Sequence, residues 1–198
     1  MTDPVNPLLT ALDRDGGASS DFDLNAQVIL PKGRKLRSAG VLVPVQVVDG
    51  VAQVILTKRS SHLKHHPGQI AFPGGKQDET DVDVTAAALR EAQEEIGLMR
   101  ENVQVLGTLP THETVTSFTV TPVVGLVRSP FQIKPEPGEV EEVFHVPLSH
   151  VTDPARFAIE GRWWQGVRRR YYVVPFGPYY IWGATARILR GLAERMVT

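Results

Sequence analysis

The sequence predicts an α/β (α+β) layered domain built on a mixed β-sheet sandwiched between helices. Three observations carry that prediction. Short β-branched runs recur along the chain, the longest being Gly40–Val48 (GVLVPVQVV) and 118–128 (FTVTPVVGLVR). Two segments have helical spacing of apolar residues, with Leu89, Ala92 and Ile96 in the first and Ile188, Leu189, Leu192 and Met196 in the second. Strands and helices follow each other in mixed order, which favours layers around one sheet.

Composition sets the outer bounds. The 198 residues suffice for one domain with a sizeable core. A net charge of -1 argues against wholesale nucleic-acid binding, so any anion site must be a local patch. With no cysteine, disulfides, thiolate zinc sites and a cysteine nucleophile are excluded. No apolar run approaches the roughly 20 residues of a membrane span. The acidic start has no basic-then-apolar pattern of a secretory signal, so a cytoplasmic location is expected.

Taken in order, residues 1–38 read as a partly irregular N-terminal arm, and residues 39–198 as the domain proper. In the arm, Pro7–Leu12 has the length of a short helix, Asp15–Ser20 is linker-like, and Lys32, Arg34, Lys35 and Arg37 form a small basic run. Asp49-Gly50 marks a tight turn between strands Gly40–Val48 and Val51–Thr57. A loop rich in Lys58, Arg59, His62, Lys64, His65 and His66 follows and ends at Phe72-Pro73-Gly74-Gly75. The next helix should start at Asp83–Thr85 and stop at Gly97.

Val103–Leu109 reads as a strand. Segment 118–128 is expected to be bulged or at an edge, because Pro122 and Gly125 interrupt it. Pro130–Gly138 is a proline-rich loop, and 139–146 (EVEEVFHV) an alternating strand. A short helix is expected over Val151–Phe157, a strand over Arg168–Val174 and a closing helix over Trp182–Met196. The aromatics between Trp163 and Trp182 read as core or dimer interface in preference to a base-stacking platform. Arg168–Arg170 alternate on their strand and so form no continuous nucleic-acid patch.

The chemistry concentrates in Gly74–Leu98. Glu91, Glu94 and Glu95 stand at i, i+3 and i+4, so one helical face presents three carboxylates. Such an oxygen-rich set suits a hard divalent cation, Mg²⁺ or Mn²⁺. The glycines match neither a P-loop nor a dinucleotide fingerprint nor a nucleophile elbow. The three histidines lack the helical spacing of a zinc site, and a loop contacting substrate or solvent is the simpler reading.

Arg90-Glu91-Ala92-Gln93-Glu94-Glu95-Ile96-Gly97-Leu98 behind Gly75 resembles the Nudix box. The first half departs from the family pattern: Asp81 stands where a glutamate is usual, and eight residues rather than seven separate it from Arg90. Ile55-Leu56-Thr57-Lys58-Arg59-Ser60, then Lys64, Gly68 and Phe72-Pro73-Gly74-Gly75, is similar to the signature of the coenzyme A diphosphatase branch, which also carries the one-residue insertion.

The resemblance implies a Nudix fold and metal-dependent hydrolysis of the pyrophosphate bond of coenzyme A or acyl-CoA, giving 3′,5′-ADP and 4′-phosphopantetheine or its acyl derivative. Another nucleoside diphosphate derivative is the alternative substrate, and a non-catalytic nucleotide-binding module the rival of another class. Glu91 and Glu95 are the expected ligands, Glu94 a third ligand or a base, and the carbonyl near Gly74 or Gly75 a further ligand. Arg90 is expected to pair with an acid across the turn and orient Glu91 or Glu94. For a later catalytic base, Glu139, Glu141, Glu142 and Glu113 are open, with Glu139 preferred because it enters a strand after a loop. Arg59, Lys64, Gly68, Phe72 and Gly75 are the expected substrate-binding set. The partner is a small molecule, neither nucleic acid nor membrane. The superfamily and the aromatic-rich C-terminal half suggest a homodimer.

Overall fold

A computed structural model of the chain describes residues 3–31, 33–164 and 166–197, with the backbone alone at Trp164. In chain order the elements are α1 (Asn6–Leu12), β1 (Ser19–Ser20), β2 (Arg37–Val48), β3 (Val51–Arg59), β4 (Ile70–Ala71), β5 (Gly74–Lys76), α2 (Val84–Ile96), β6 (Val103–Thr108), β7 (His112–Glu113), β8 (Phe118–Val127), β9 (Val140–Pro147), α3 (Leu148–Val151), β10 (Ala158–Trp164), β11 (Val167–Val173) and α4 (Ala184–Val197). Short 3-10 turns occupy Arg100–Asn102 and Pro154–Arg156. None of the described helices is long and apolar enough to cross a membrane.

The predicted mixed sheet is present. β2 runs parallel to β8 and antiparallel to β3, and β3 continues antiparallel to β9 and β4. The β2–β3 turn has positive φ at both Asp49 and Gly50, the hairpin geometry that an Asp-Gly pair favours. Alternation along the strands divides the core in two. Leu42, Ile55, Val123 and Val127 face the Ala88, Leu89, Ala92 and Ile96 stripe of α2. Val43, Val45, Val54, Leu56 and Val124 face the other way, onto Leu8, Leu148, Leu189 and Leu192 from α1, α3 and α4.

Helix α2 begins and ends as its sequence dictates. Asp83 accepts a hydrogen bond from the Ala86 N–H at 2.7 Å, capping the first turn. Gly97 takes the left-handed conformation (φ 74°), and its N–H and that of Leu98 return to the carbonyls of Gln93 and Ala92. The proline-rich loop then covers this end: the N–H groups of Lys134 and Glu136 donate to the carbonyls of Ile96 and Glu95 at 3.0 and 2.9 Å.

Several expectations are corrected. Strand β8 is neither bulged nor at an edge; it lies between β2 and a flank shared by β6 and β7. The bulge is on β6, between Val105 and Gly107, where the partner is Gly125. Pro122 is tolerated because it falls between the stretch of β8 paired with β7 and the stretch paired with β6, where no ladder donor is needed. The expected helix over Val151–Phe157 is instead the end of α3 and a separate 3-10 turn capped by Asp153. Strand β10, unforeseen in the sequence, pairs antiparallel with β11 in a separate two-stranded sheet.

The N-terminal segment is not an appendage. Leu8 and Ala11 of α1 are fully buried in the main core, and β1 pairs with β7. Of the basic run, Lys32 lies outside the described residues, Arg34 pairs with Glu113, and the Arg37 guanidinium sits 4.0 Å from the centre of the Phe118 ring.

Candidate active site

The site is assembled where α2 crosses β5. At Gly40 of β2 a Cβ would fall 2.1 Å from the Val84 carbonyl oxygen, so the missing side chain lets the helix start lie directly on the strand. β5 pairs with that same stretch, Gly75 opposite Gly40 and Gly74 opposite Val41. The Gly74-Gly75 backbone is thereby held against the glutamates of α2. The Gly74 N–H donates to Glu95 Oε2 at 3.2 Å, and a Cβ on Gly75 would fall 2.6 Å from the Glu91 carboxyl carbon.

The three glutamates share a side of α2 but differ in environment. Glu95 is 4% exposed. Burial pushes its carboxyl up to about 8, opposed by the Gly74 N–H and reinforced by the charge of Glu91. Glu91 is half-buried and is also raised, first by burial, although Arg90 pulls the other way. Glu94 is exposed, and its carboxylate shares the Arg90 Nη1 donor with Glu91, at 2.9 and 3.0 Å.

Arg90 is the hub of this arrangement. Its Nε and Nη2 donate to the two Asp81 oxygens at 3.1 and 3.0 Å, and Nη1 donates to Glu91 at 3.0 Å. The two-pronged grip on Asp81 is the strong geometry for a guanidinium and a carboxylate, and it holds the Asp81 carboxyl below its usual range. Asp81, the residue that departs from the family pattern, therefore occupies the place of Arg90's acid partner across the turn. One extra residue and a shorter side chain reach the same guanidinium.

Of the four later acids, Glu139 is the one whose charge is felt by both Glu91 and Glu95. A β-bulge sets it there: the β3–β9 register slips between Lys58 and Arg59, so that Arg59 faces Val140, and the Ser60 N–H donates to the Glu139 carbonyl at 2.8 Å. Glu141 is tied to Lys58 at 2.7 Å, Glu142 accepts from the Tyr179 hydroxyl at 2.5 Å, and Glu113 is paired with Arg34.

A cation fits part of this donor set. The charge of Glu139 helps to raise both Glu91 and Glu95, and that of Glu91 helps to raise Glu95, an effect that a positive ion among them would reverse. Among the described residues no three acids or imidazoles are gathered to enclose a metal unaided. Mg²⁺ characteristically takes one or two carboxylates and completes its shell with water and substrate phosphate oxygens, and Glu91 and Glu95 suit that role.

Beside the carboxylates opens a cleft of about 580 Å³. The glutamates do not line it; the Gly74-Gly75 backbone that they touch does. Arg59, Lys64, Lys76, Arg162, Arg169 and Arg170 bring positive charge to its walls, and Asp21 is the one acid lining it among the described residues. Arg59 Nε is buried with no hydrogen-bond acceptor among the described residues, a costly state for a charged donor unless an anion arrives.

Of the expected substrate-binding set, Arg59, Lys64 and Gly75 line the cleft. Phe72 lines it but is 4% exposed and belongs to the core, so it is floor rather than handle. Gly68 is not among the lining residues; its φ of 68° turns the loop. His65 and His66 line the cleft and His62 does not.

Sequence reasoning missed the opposite wall. Tyr171, Trp182, Arg169 and Arg170 converge there with Asp21 and Asn25 from the N-terminal segment, although nothing in their spacing ties them to the Gly74–Leu98 stretch. The aromatic-and-arginine composition of 162–182 was the available signal, read instead as core or interface.

Comparison with known proteins agrees with this geometry. A model of the NUDIX domain matches residues 36–163. The chain is 40% identical over 180 residues to an uncharacterized Nudix hydrolase, NudL, of Pectobacterium atrosepticum, covering 89% of this chain and 93% of the relative. It is 41% identical over 177 residues to the protein of the same name from Citrobacter koseri, covering 87% and 92%. The fold is similar to that of the MutT protein of Methanosarcina mazei Go1, with a TM-score of 0.53 over 84% of this chain and 96% of that one at 18% identity. The chain therefore belongs to the Nudix hydrolase family and is a pyrophosphohydrolase.

Proposed function

We propose that the substrate is coenzyme A or an acyl-CoA, hydrolysed at its pyrophosphate bond to 3′,5′-ADP and 4′-phosphopantetheine or the acyl derivative. The observation that carries this reading is Arg59: a buried guanidinium donor without an acceptor among the described residues, in a cleft rich in arginine and lysine that the Gly74-Gly75 backbone also lines. A pyrophosphate alone would need less positive charge; a substrate with a further phosphate on its ribose matches it. The loop carrying Arg59 and Lys64 is also the stretch that resembles the coenzyme A diphosphatase signature.

In this reading Glu91 and Glu95 hold Mg²⁺ or Mn²⁺, joined by a carbonyl at Gly74 or Gly75. When bound, the cation supplies charge neutralisation at the phosphoryl oxygens and makes water a better nucleophile. Arg90 keeps Glu91 in place through its grip on Asp81. Glu139 takes the proton from the attacking water, a role supported by its charge acting on both Glu91 and Glu95. Arg59 and Lys64 bind the substrate's phosphates.

Incubating the protein with coenzyme A and Mg²⁺ and separating the nucleotides tests the reading directly. Appearance of 3′,5′-ADP is expected. If coenzyme A stays intact while ADP-ribose or a nucleoside diphosphate sugar is cleaved, the substrate assignment is wrong and the pyrophosphohydrolase remains. A second measurement addresses the loop: Arg59→Ala should raise KM for coenzyme A about ten-fold or more, the scale of a lost charge-assisted contact. The effect on dephospho-coenzyme A, which lacks the 3′-phosphate, should be clearly smaller; equal effects on both would place the 3′-phosphate elsewhere.

A further inference from the structure

Residues 19–25 run across the cleft wall and are pinned at both ends. On one side, the Asp21 carboxylate meets His112 Nε2 at 3.0 Å and accepts from the Val115 N–H at 2.9 Å, while Ser19 Oγ lies 2.9 Å from His112 Nδ1. His112 is fully buried. On the other side, Asn25, 2% exposed, engages the backbone of Arg170 in both directions. Asn25 Nδ2 donates to the Arg170 carbonyl at 2.9 Å, and Asn25 Oδ1 accepts from the Arg170 N–H at 2.8 Å. A second Nδ2 bond, to the Asp21 carbonyl at 3.1 Å, closes the strap on itself.

This amide does for β11 what a neighbouring strand would do. Arg170 pairs with Gly161 of β10 on one edge, and Asn25 supplies both a donor and an acceptor to its main chain. The consequence is positional: the next residue, Tyr171, is set against Trp182, ring centres 5.1 Å apart, and Arg162 from β10 lies 4.4 Å from the Trp182 ring centre. All three line the cleft. Asn25, Tyr171 and Trp182 lie outside the 36–163 stretch matched by the family-wide domain, and Arg162 lies at its end.

We propose that the Tyr171–Trp182 pair, with Arg162, is the subsite for the aromatic nucleobase of the substrate, and that Asn25 is the positioning residue that holds it in register. Every base offers a π face, so an aromatic platform flanked by guanidinium groups takes a nucleobase carrying phosphate nearby. The inference rests on the pyrophosphohydrolase reading for its substrate, and deepens it by stating which wall grips the base.

The test uses equilibrium binding, which does not depend on turnover. The intact protein should bind 5′-AMP at least about ten-fold more tightly, the scale of one base–aromatic stack, than ribose 5-phosphate, which differs from it only by lacking the base. Trp182→Leu, which keeps apolar bulk without the ring, should lose most of that preference, and Trp182→Phe should keep it within about three-fold. Asn25→Ala should raise KM for the cleaved substrate about ten-fold with kcat nearly unchanged. If 5′-AMP and ribose 5-phosphate bind equally, or if Trp182→Leu leaves the 5′-AMP affinity within two-fold, the subsite is not there. If Asn25→Ala lowers kcat and melting temperature but leaves KM alone, its role is structural and the positioning claim falls. Base-dependent binding that survives in a protein unable to cleave coenzyme A supports the subsite and overturns only the choice of substrate.

Discussion

Replacing Glu95 with glutamine is expected to lower turnover by more than about a hundred-fold, while raising the melting temperature of the metal-free protein at pH 9 by about 10 °C. The two effects have one cause. Glu95 is buried against the Gly74 N–H, and burial raises its carboxyl to about 8. For an acid, a folded-state pKa above the unfolded one means that the charged form is disfavoured in the fold. The metal-free fold therefore carries no penalty from Glu95 below the unfolded value, near 4.5, loses stability as pH rises through 8, and bears the full penalty above that. Each ten-fold change in proton affinity between the folded and unfolded chain is worth about 1.4 kcal/mol, so the penalty at pH 9 is a few kcal/mol. Glutamine accepts the same hydrogen bond from Gly74 without the charge. Melting curves in chelator at pH 5 and pH 9 would show parent and variant together at the lower pH and separated at the higher. Coincident curves at both pH values, or near-normal turnover, would remove Glu95 from the proposed role of a ligand retained at a cost to the fold.

Two glycines should separate folding from chemistry. Gly40→Ala places a methyl 2.1 Å from the Val84 carbonyl oxygen, which is backbone inside the first turn of α2 and cannot step aside. The helix must lift from β2, opening the packing of Ala88, Leu89, Ala92 and Ile96 against Leu42 and Val123. A loss of about 3 kcal/mol or more in urea unfolding is expected, with activity falling in parallel. Gly75→Ala meets only the end of a side chain, the Glu91 carboxyl 2.6 Å away. That group can rotate, so stability should change by less than about 1 kcal/mol, yet the carboxylate leaves the Gly75 backbone and turnover should fall about a hundred-fold. Equal unfolding midpoints for Gly40→Ala and Gly75→Ala would show that α2 is not seated on β2 as described.

These contrasts mark the boundary between local and long-range information. What is written within one stretch was legible in the sequence. Asp83 and Gly97 bound α2 because a cap and a left-handed stop act within a turn. Asp49-Gly50 made its hairpin, and the apolar stripe of α2 found the sheet. The family membership was legible for the same reason, since Arg90 to Leu98 is contiguous. Helical projection could not see that Glu95 would be covered and Glu94 left outside. That division depends on β5 lying over one side of the helix and on Arg90 being anchored by Asp81 across the turn. Periodicity reports which residues share a side of their own element, and burial depends on what is laid upon it.

The cleft is the extreme case. Asn25 and Arg170 are far apart in the chain, and Trp182 further on; no spacing rule joins them, because nothing local restrains residues at that separation until the fold is complete. The sequence by itself determined helix α2, its caps, the β2–β3 hairpin and the arginine-bearing loop, each a property of neighbours in the chain. Only the tertiary structure decided that the N-terminal segment would strap β11 into the wall of the cleft that Gly74 and Gly75 also line, because that placement is made by hydrogen bonds from a buried amide to a distant main chain.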